Sequence, residues 1–312
     1  MVDSKQQWKA WLYLAPAIVL LLIFTVWPIF NTVRIAFLEG YNALTVLIGE
    51  EFTVGFGNFL EVLLADDFLE SLTNTMLLTV LTVPLSTLLA LLIAVALNSI
   101  KPLQKFLQTI FFLPYVTNSI AIGMVFAAMF NIIGLRPDGS SADSWGIINN
   151  VIMFFGGDPI NWINAQSSYA ANIAVMTVYI IWNALPFKIL ILLGGLQSIN
   201  KQYYDAARVD GTPRWRVLTR ITVPLLSPML AYVIITGFIG GFKEYSSIVG
   251  IFGEKMGPVG DAFRLNTMVG YIYEALPKMD YGIASAAALI LFAIIFVVTM
   301  INLWVGKKRV HF

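Results

Sequence analysis

The residues able to do chemistry stand out against an apolar background, and the most informative of them form one charged island. It runs Asp205-Ala206-Ala207-Arg208-Val209-Asp210-Gly211 and is closed downstream by Ile221-Thr222-Val223-Pro224. Asn200 can cap a helix that starts at Lys201, and Gly211 can end it in a left-handed C-terminal cap. Thr212-Pro213 then opens a second short helix, since Pro suits a first turn. Such a segment can lie at a bilayer surface with Arg214, Arg216 and Arg220 on lipid phosphates, or it can dock on an aqueous partner. A second group sits inside an apolar run, Trp182-Asn183-Ala184-Leu185-Pro186-Phe187-Lys188. Pro186 interrupts the backbone ladder and predicts a kink. Asn183 and Phe187, four apart, share a helix face, and an amide in lipid has to find partners. Lys188 reads as snorkelling toward the cytoplasmic surface, with contact to an acidic or phosphate-bearing solute as the alternative. Trp and Phe in such a run pack more often than they stack on a ligand, and glycines there usually mark close helix contacts.

The remaining chemistry is mostly excluded. The 312 residues include no cysteine, so disulfides, thiolate metal sites and a cysteine nucleophile are ruled out. The one histidine, His311, is read as a solvated tail residue, and zinc has almost no ligands to use. A net charge of +1 gives no basic field for nucleic acid. No Gly-x-x-x-x-Gly-Lys-Ser/Thr loop occurs, so the chain is not its own ATPase by that mechanism. No acid, His or Cys falls in the predicted spans. That argues against an intramembrane enzyme and against a self-sufficient ion-coupled transporter.

The elements that position these residues are membrane helices. Only 12% of residues are charged, against about 25% in a soluble domain, and the mean hydropathy is +0.80. Charge-free windows of about 20 residues place helices near 11–37, 72–98, 107–133, 170–196, 219–241 and 282–305. The first is too long for a signal-peptide core and is expected to be retained. Lys5 and Lys9, Lys101 and Lys105, the Lys201–Arg220 cluster, and Lys307, Lys308 and Arg309 all fall on one side of six spans. By the positive-inside rule that side, with both termini, is cytoplasmic. Glu39, Glu50, Glu51, Glu61, Asp66, Asp67 and Glu70 fall opposite. The outer loops 38–71 and 134–169 hold the Asp138-Gly139-Ser140-Ser141 turn and a weakly amphipathic stretch at Trp145–Phe155. With the mixed-charge, Gly-rich segment 243–281 they read as a face that receives a partner, because loops of this length usually have a job. The expected division is a cytoplasmic N-terminus at 1–10, a permease domain at 11–305 with a short cytoplasmic helix at about 200–212, and a cytoplasmic tail at 306–312.

Asp-Ala-Ala-x-x-Asp-Gly, nine residues, then Ile-x-Val-Pro resembles the EAA signature of ABC-importer permeases. Asp205 stands where Glu is usual and Val223 where Leu is usual, while Ala206, Ala207, Gly211, Ile221 and Pro224 fit. Across nearly the whole chain the sequence is similar to the MalF-type sugar permeases. Tyr13-Leu14-Ala15-Pro16-Ala17, Trp27-Pro28, Phe111-Phe112-Leu113-Pro114, Asn161-Trp162, Gly195–Ile199 and Asp280-Tyr281-Gly282 carry that similarity. The resemblance implies an all-α, MetI-like type I importer permease with six transmembrane helices and a coupling helix, in a prokaryotic cytoplasmic membrane. It implies a non-catalytic subunit, without a cofactor of its own, of a binding-protein-dependent importer for a sugar or oligosaccharide. An importer of a polyol or glycerol phosphate is the alternative. Expected partners are a second, homologous permease subunit in a heterodimer, two ATPase subunits that bind ATP and Mg, an extracytoplasmic solute-binding protein, and the bilayer. Carried over by position, Tyr204, Asp205, Ala206, Ala207, Asp210 and Gly211 would couple to an ATPase. Ile180, Asn183, Ala184 and Phe187, with Gly237, Gly240 and Gly241 of the fifth span, would line the solute site. The glycines there leave room for a larger solute or for contacts from another subunit.

Overall fold

The computed structural model describes residues 7–44, 51–100, 104–133 and 144–309. Lys5, Lys101, Glu50, Asp138–Ser141 and His311 lie outside the described residues. In chain order the helices are α1 (Trp8–Ala36), α2 (Gly57–Leu64), α3 (Asp66–Ser99), α4 (Gln104–Phe112), α5 (Ser119–Phe130), α6 (Ile147–Phe154) and α7 (Tyr169–Ser198). Then come α8 (Lys201–Val209), α9 (Arg214–Leu225), α10 (Ser227–Phe242), α11 (Ser246–Phe252), α12 (Met268–Ala275) and α13 (Tyr281–Arg309). A two-residue antiparallel hairpin pairs β1 (Ile132–Ile133) with β2 (Ser144–Trp145).

Among the described residues, four helices are long and apolar enough to cross a membrane: α1, α3, α7 and the Tyr281–Gly306 part of α13. The α9–α10 pair makes a fifth if counted as one span, bent by 71° between Leu225 and Ser227. The third predicted span, 107–133, is not one helix. It arrives as α4, a 3₁₀ turn at Leu113–Val116, and α5, whose Asn118 cap accepts from Ile120 N at 2.8 Å. The break follows from chemistry: Pro114 lacks a donor, and an Asn side chain favours starting a helix over continuing one.

Two turns widen into π-helix, Leu22–Val26 in α1 and Leu218–Thr222 in α9. In each, the residue before a proline bonds five residues back, Trp27 to Leu22 and Val223 to Leu218. Pro28 and Pro224 cannot donate, and their rings crowd the carbonyls four residues back. One wider turn relieves that crowding.

The chain forms two compact units. In the first, residues up to 69 and 271–292, buried Asn58 ties down the segment after α1 by donating to Ala36 O and Leu38 O at 3.1 and 2.7 Å. Gly282 N donates to Tyr41 O at 3.0 Å, so the start of α13 is pinned to the same turn. Among the described residues, nothing buries the most apolar stretch of α1. In the second unit, residues 70–270 and 293–312, one core gathers Leu78, Phe130, Met176, Tyr179 and Ile248. Another gathers Ala90, Ala94, Leu192, Leu193 and Leu226.

Segment 243–281, expected to be an irregular loop, carries α11 and α12. Buried Ile248 and Ile251 place α11 in the first core. Gly123 of α5 and Gly250 of α11 meet so closely that a Cβ on Gly123 would sit 2.7 Å from the Gly250 Cα. The short apolar run Ser246–Phe252 is buried by its neighbours, which sequence periodicity cannot reveal. Outside α5, α6 is held by buried Asn149, which exchanges bonds with Ile160 and accepts from Trp162 Nε1 at 3.0 Å.

Candidate functional site

In α7, Ile180, Asn183, Ala184 and Phe187 fall at i, i+3, i+4 and i+7, one stripe of an α-helix. Gly237, Gly240 and Gly241 form the matching stripe on α10. The structure brings all seven residues to the wall of one cavity of about 280 Å³. Helix α7 runs unbroken through Pro186. Asn183 is half-buried, and its Nδ2 donates to Ser119 Oγ at 3.3 Å. Phe187 stacks on Tyr115, with ring centroids 5.7 Å apart and planes 18° apart, and also meets Tyr232 at 6.4 Å.

The three glycines divide. A Cβ on Gly241 would lie 2.7 Å from Thr79 of α3, and one on Gly237 would lie 3.1 Å from Val83 and 3.2 Å from Lys188 Nζ. These two let α10 approach its neighbours. A Cβ on Gly240 would meet nothing within 4 Å, so this glycine leaves the cavity wide.

Lys188 does not snorkel. It is 4% exposed and reaches across to α3. Its Nζ donates to Val83 O, Ser86 Oγ and Thr87 Oγ1 at 3.2, 2.7 and 2.9 Å. An ammonium has three donors, and all three are used. The acceptors lie around Pro84, in residues 82–87, where three of six residues are Ser or Thr. Among the described residues no carboxylate lies within ion-pairing distance of Lys188.

The cavity also has walls that sequence reading missed, Thr82, Ser86, Tyr115 and Thr236, and it includes Glu244, which follows the fifth span. Thr82 and Ser86, four apart in α3, are a polar stripe that could have been found by helical spacing. Glu244 is the first acid after the fifth span. Its Oε1 accepts from Tyr245 N and Ser247 N, both at 3.1 Å, and so caps α11. Burial raises its carboxyl pKa, and the donors from Ser247 and Tyr245 oppose the rise.

The charged island is a helix with two faces. Asn200 caps it by accepting from Gln202 N at 3.0 Å. At its C-terminus Thr212 N donates to Ala207 O at 2.9 Å and Gly211 N to Arg208 O at 3.2 Å, with Gly211 at φ +64°. This is the Schellman geometry. Ala207 is buried, and half-buried Tyr204 places its hydroxyl 3.4 Å from Thr222 Oγ1. Asp205, Ala206 and Asp210 are exposed, as is Val209 at 88%. The two alanines of the motif therefore serve opposite faces. Ala207 fits the helix against its own chain, and Ala206 leaves the outward face low. Among the described residues no group of three or more His, Cys, Asp or Glu could hold a metal.

Residues 83–311 match the family described as the binding-protein-dependent transport system inner membrane component. The chain is 25% identical to the lactose transport system permease protein LacF of Rhizobium radiobacter, over 96% of this chain and 95% of that protein. It is 29% identical to the trehalose/maltose transport system permease protein MalF of Thermococcus litoralis, over 96% and 94%. It is 30% identical to the inner membrane ABC transporter permease protein YcjO of Escherichia coli, over 97% and 94%. A crystal structure of a bacterial ABC transporter involved in the import of the acidic polysaccharide alginate shares the fold. Its TM-score is 0.77 at 22% identity, with 98% of this chain and 97% of that one covered. The family match and the apolar helices together make this a multi-pass membrane protein, and the chain belongs to the inner membrane components of binding-protein-dependent transport systems.

Proposed function

We propose that this chain is one permease subunit of an ATP-driven importer for a neutral sugar or oligosaccharide, and that the cavity between α3, α7 and α10 is its solute site. The observation that carries this reading is the cavity wall itself. It sets an amide, Asn183, and hydroxyls of Thr82, Ser86 and Thr236 beside the stacked Tyr115–Phe187 pair. Hydroxyl-rich solutes need donors and acceptors at several angles, and the apolar C–H face of a sugar ring needs a flat aromatic partner. Relatives named for lactose and for trehalose and maltose support the class. In this reading Ile180, Asn183, Ala184, Phe187 and Gly240 shape the site, while Gly237 and Gly241 hold its walls together.

Lys188 weighs against a polyol phosphate or other anionic solute, because its three donors are bound within the chain. An anion would have to break one of those bonds first. Energy enters from outside the chain: two ATPase subunits, with their own ATP and Mg, close on the coupling helices of this chain and of a second, homologous permease. Asp205, Ala206 and Asp210 form the outward face that meets an ATPase, while Tyr204, Ala207 and Gly211 hold that helix to the membrane helices. The unburied apolar length of α1 fits lipid or the second permease subunit. In this reading the chain crosses six times, with the broken α4–α5 segment as the third, and the positive-inside bias assigns both termini and α8 to the cytoplasm.

The test is reconstitution of the complete complex in proteoliposomes with its binding protein and a panel of labelled sugars. ATP-dependent uptake of a neutral sugar, lost in Asn183→Ala and Phe187→Ala variants that still assemble, is expected. Uptake that runs without ATPase subunits would instead mean a self-sufficient transporter.

A further inference from the structure

The coupling helix borders a second cavity, of about 610 Å³, which shares no wall residue with the solute cavity. Tyr204, Arg208 and Gly211 reach it at i, i+4 and i+7 of one stripe. Val95 and Asn98 of α3 and Leu196 of α7 line it, as do Thr212 of the loop after α8 and Arg214, the first residue of α9. Its lining includes two guanidinium groups and no carboxylate. Among the described residues neither Arg208 nor Arg214 has an acid within ion-pairing distance. The apolar part of the wall is Val95 of α3, Leu196 of α7, and Val217 and Leu218 of α9.

Two arginines from different elements, both solvent-exposed and bordering one open cavity whose lining holds no carboxylate, make a receptor for a tetrahedral oxyanion. A guanidinium offers a rigid fork of donors that pairs with two phosphate oxygens at once. Asn98 and Thr212 add neutral donors at the rim. The volume exceeds what a bare phosphate needs, and the apolar wall suits a carbon substituent on it.

We propose that this cavity binds a phosphate ester, gripped by Arg208 and Arg214. The headgroup of an anionic phospholipid and a soluble phosphate monoester share that chemistry. Either occupant would bridge α8 to α3, α7 and α9, and so stiffen the joint through which the coupling helix moves the spans. A general attraction of basic residues to a bilayer surface differs from this in one respect. Arg216 and Arg220 follow on the same helix but do not line the cavity.

The experiment uses the purified complete complex, delipidated in detergent, with native mass spectrometry as readout. The probes are phosphatidylglycerol, phosphatidylcholine and glycerol 3-phosphate. The variants are Arg208→Gln with Arg214→Gln, and Arg216→Gln with Arg220→Gln as the charge-matched control, each checked for an unchanged thermal midpoint. Retention of phosphatidylglycerol or of glycerol 3-phosphate should fall about tenfold in the first double variant, as loss of a charge-assisted pair predicts, and hold in the control. Binding of phosphatidylglycerol alone assigns the site to lipid. Displacement of phosphatidylglycerol by glycerol 3-phosphate assigns it to a soluble ester. Equal losses in both double variants, retention undiminished by the first, or no binding of either anionic probe to the unaltered complex would each overturn the proposal.

Discussion

Gly240 and Gly241 are neighbours in one helix, yet they do opposite work, and substitution separates them. At Gly241 a side chain runs into Thr79. Gly241→Leu is expected to cost about 1–3 kcal/mol through overpacking, seen as a lower thermal midpoint and poorer assembly. At Gly240 the space is open, and Leu is a better helix former than Gly by nearly 1 kcal/mol. Gly240→Leu should therefore insert and assemble normally while uptake is lost, because the side chain fills the solute cavity. Equal uptake in Gly240→Leu and the parent would remove this cavity from the pathway. Lys188 carries a related expectation. Removing its ammonium leaves Ser86 and Thr87 still bonded to carbonyls of their own helix, and exchanging a buried charge for an apolar chain of similar length is often neutral or stabilising. Lys188→Met should keep its thermal midpoint and its uptake of a neutral sugar. A selective loss of uptake at unchanged stability would mean that the ammonium serves the solute. Glu244 is the titrating residue of this site. Its carboxyl pKa is raised by burial, so in the folded state it holds its proton to higher pH than in the unfolded chain. Its contribution is thus fully present below the ordinary carboxylate range and is lost as pH rises through the raised value. Glu244→Gln keeps an oxygen for Tyr245 N and Ser247 N, and should make the thermal midpoint less sensitive to rising pH in that window.

At the scale of elements, α8, the proposed coupling helix, depends on how it ends. Gly211 lies at φ +64°, where a residue with a Cβ loses about 1–2 kcal/mol and where Pro, fixed near φ −65°, does not fit. Gly211→Pro also removes the bond from Gly211 N to Arg208 O. The protein should still insert, while uptake and solute-stimulated ATP hydrolysis are abolished. Normal coupled hydrolysis in that variant would show that α8 is not the lever. The outward face can be tested separately. The chain has no cysteine, so Val209→Cys gives a single reporter at an exposed position. A membrane-impermeant maleimide should label it from the cytoplasmic side when the permease is alone and fail to label it in the complete complex. Helix α9 adds a structural reason for the proline in the motif. Pro224 goes with the π turn at Leu218–Thr222 and lies just before the 71° bend into α10, so the lever passes into the span through an element that is already off the straight α-helical path.

At the scale of the molecule, much was legible from composition and spacing alone. Low charge and long apolar runs dictated membrane helices, because a backbone in lipid has to satisfy its own hydrogen bonds. The intervals of the island dictated a capped helix ended by glycine, since those are local backbone effects. Spacing along α7 put Ile180, Asn183, Ala184 and Phe187 on one face, as any helix would. The tertiary structure decided the rest. It broke the third predicted span at Pro114 and Asn118, and it turned part of 243–281 into the buried helix α11. It drew Lys188 to the polar turn of α3, and it assigned one glycine to the cavity and two to packing. Each of these depends on what another segment, distant in sequence, places opposite. Local propensity and periodicity record how a residue sits on its own helix, whereas partners across the bundle are set only when the helices pack.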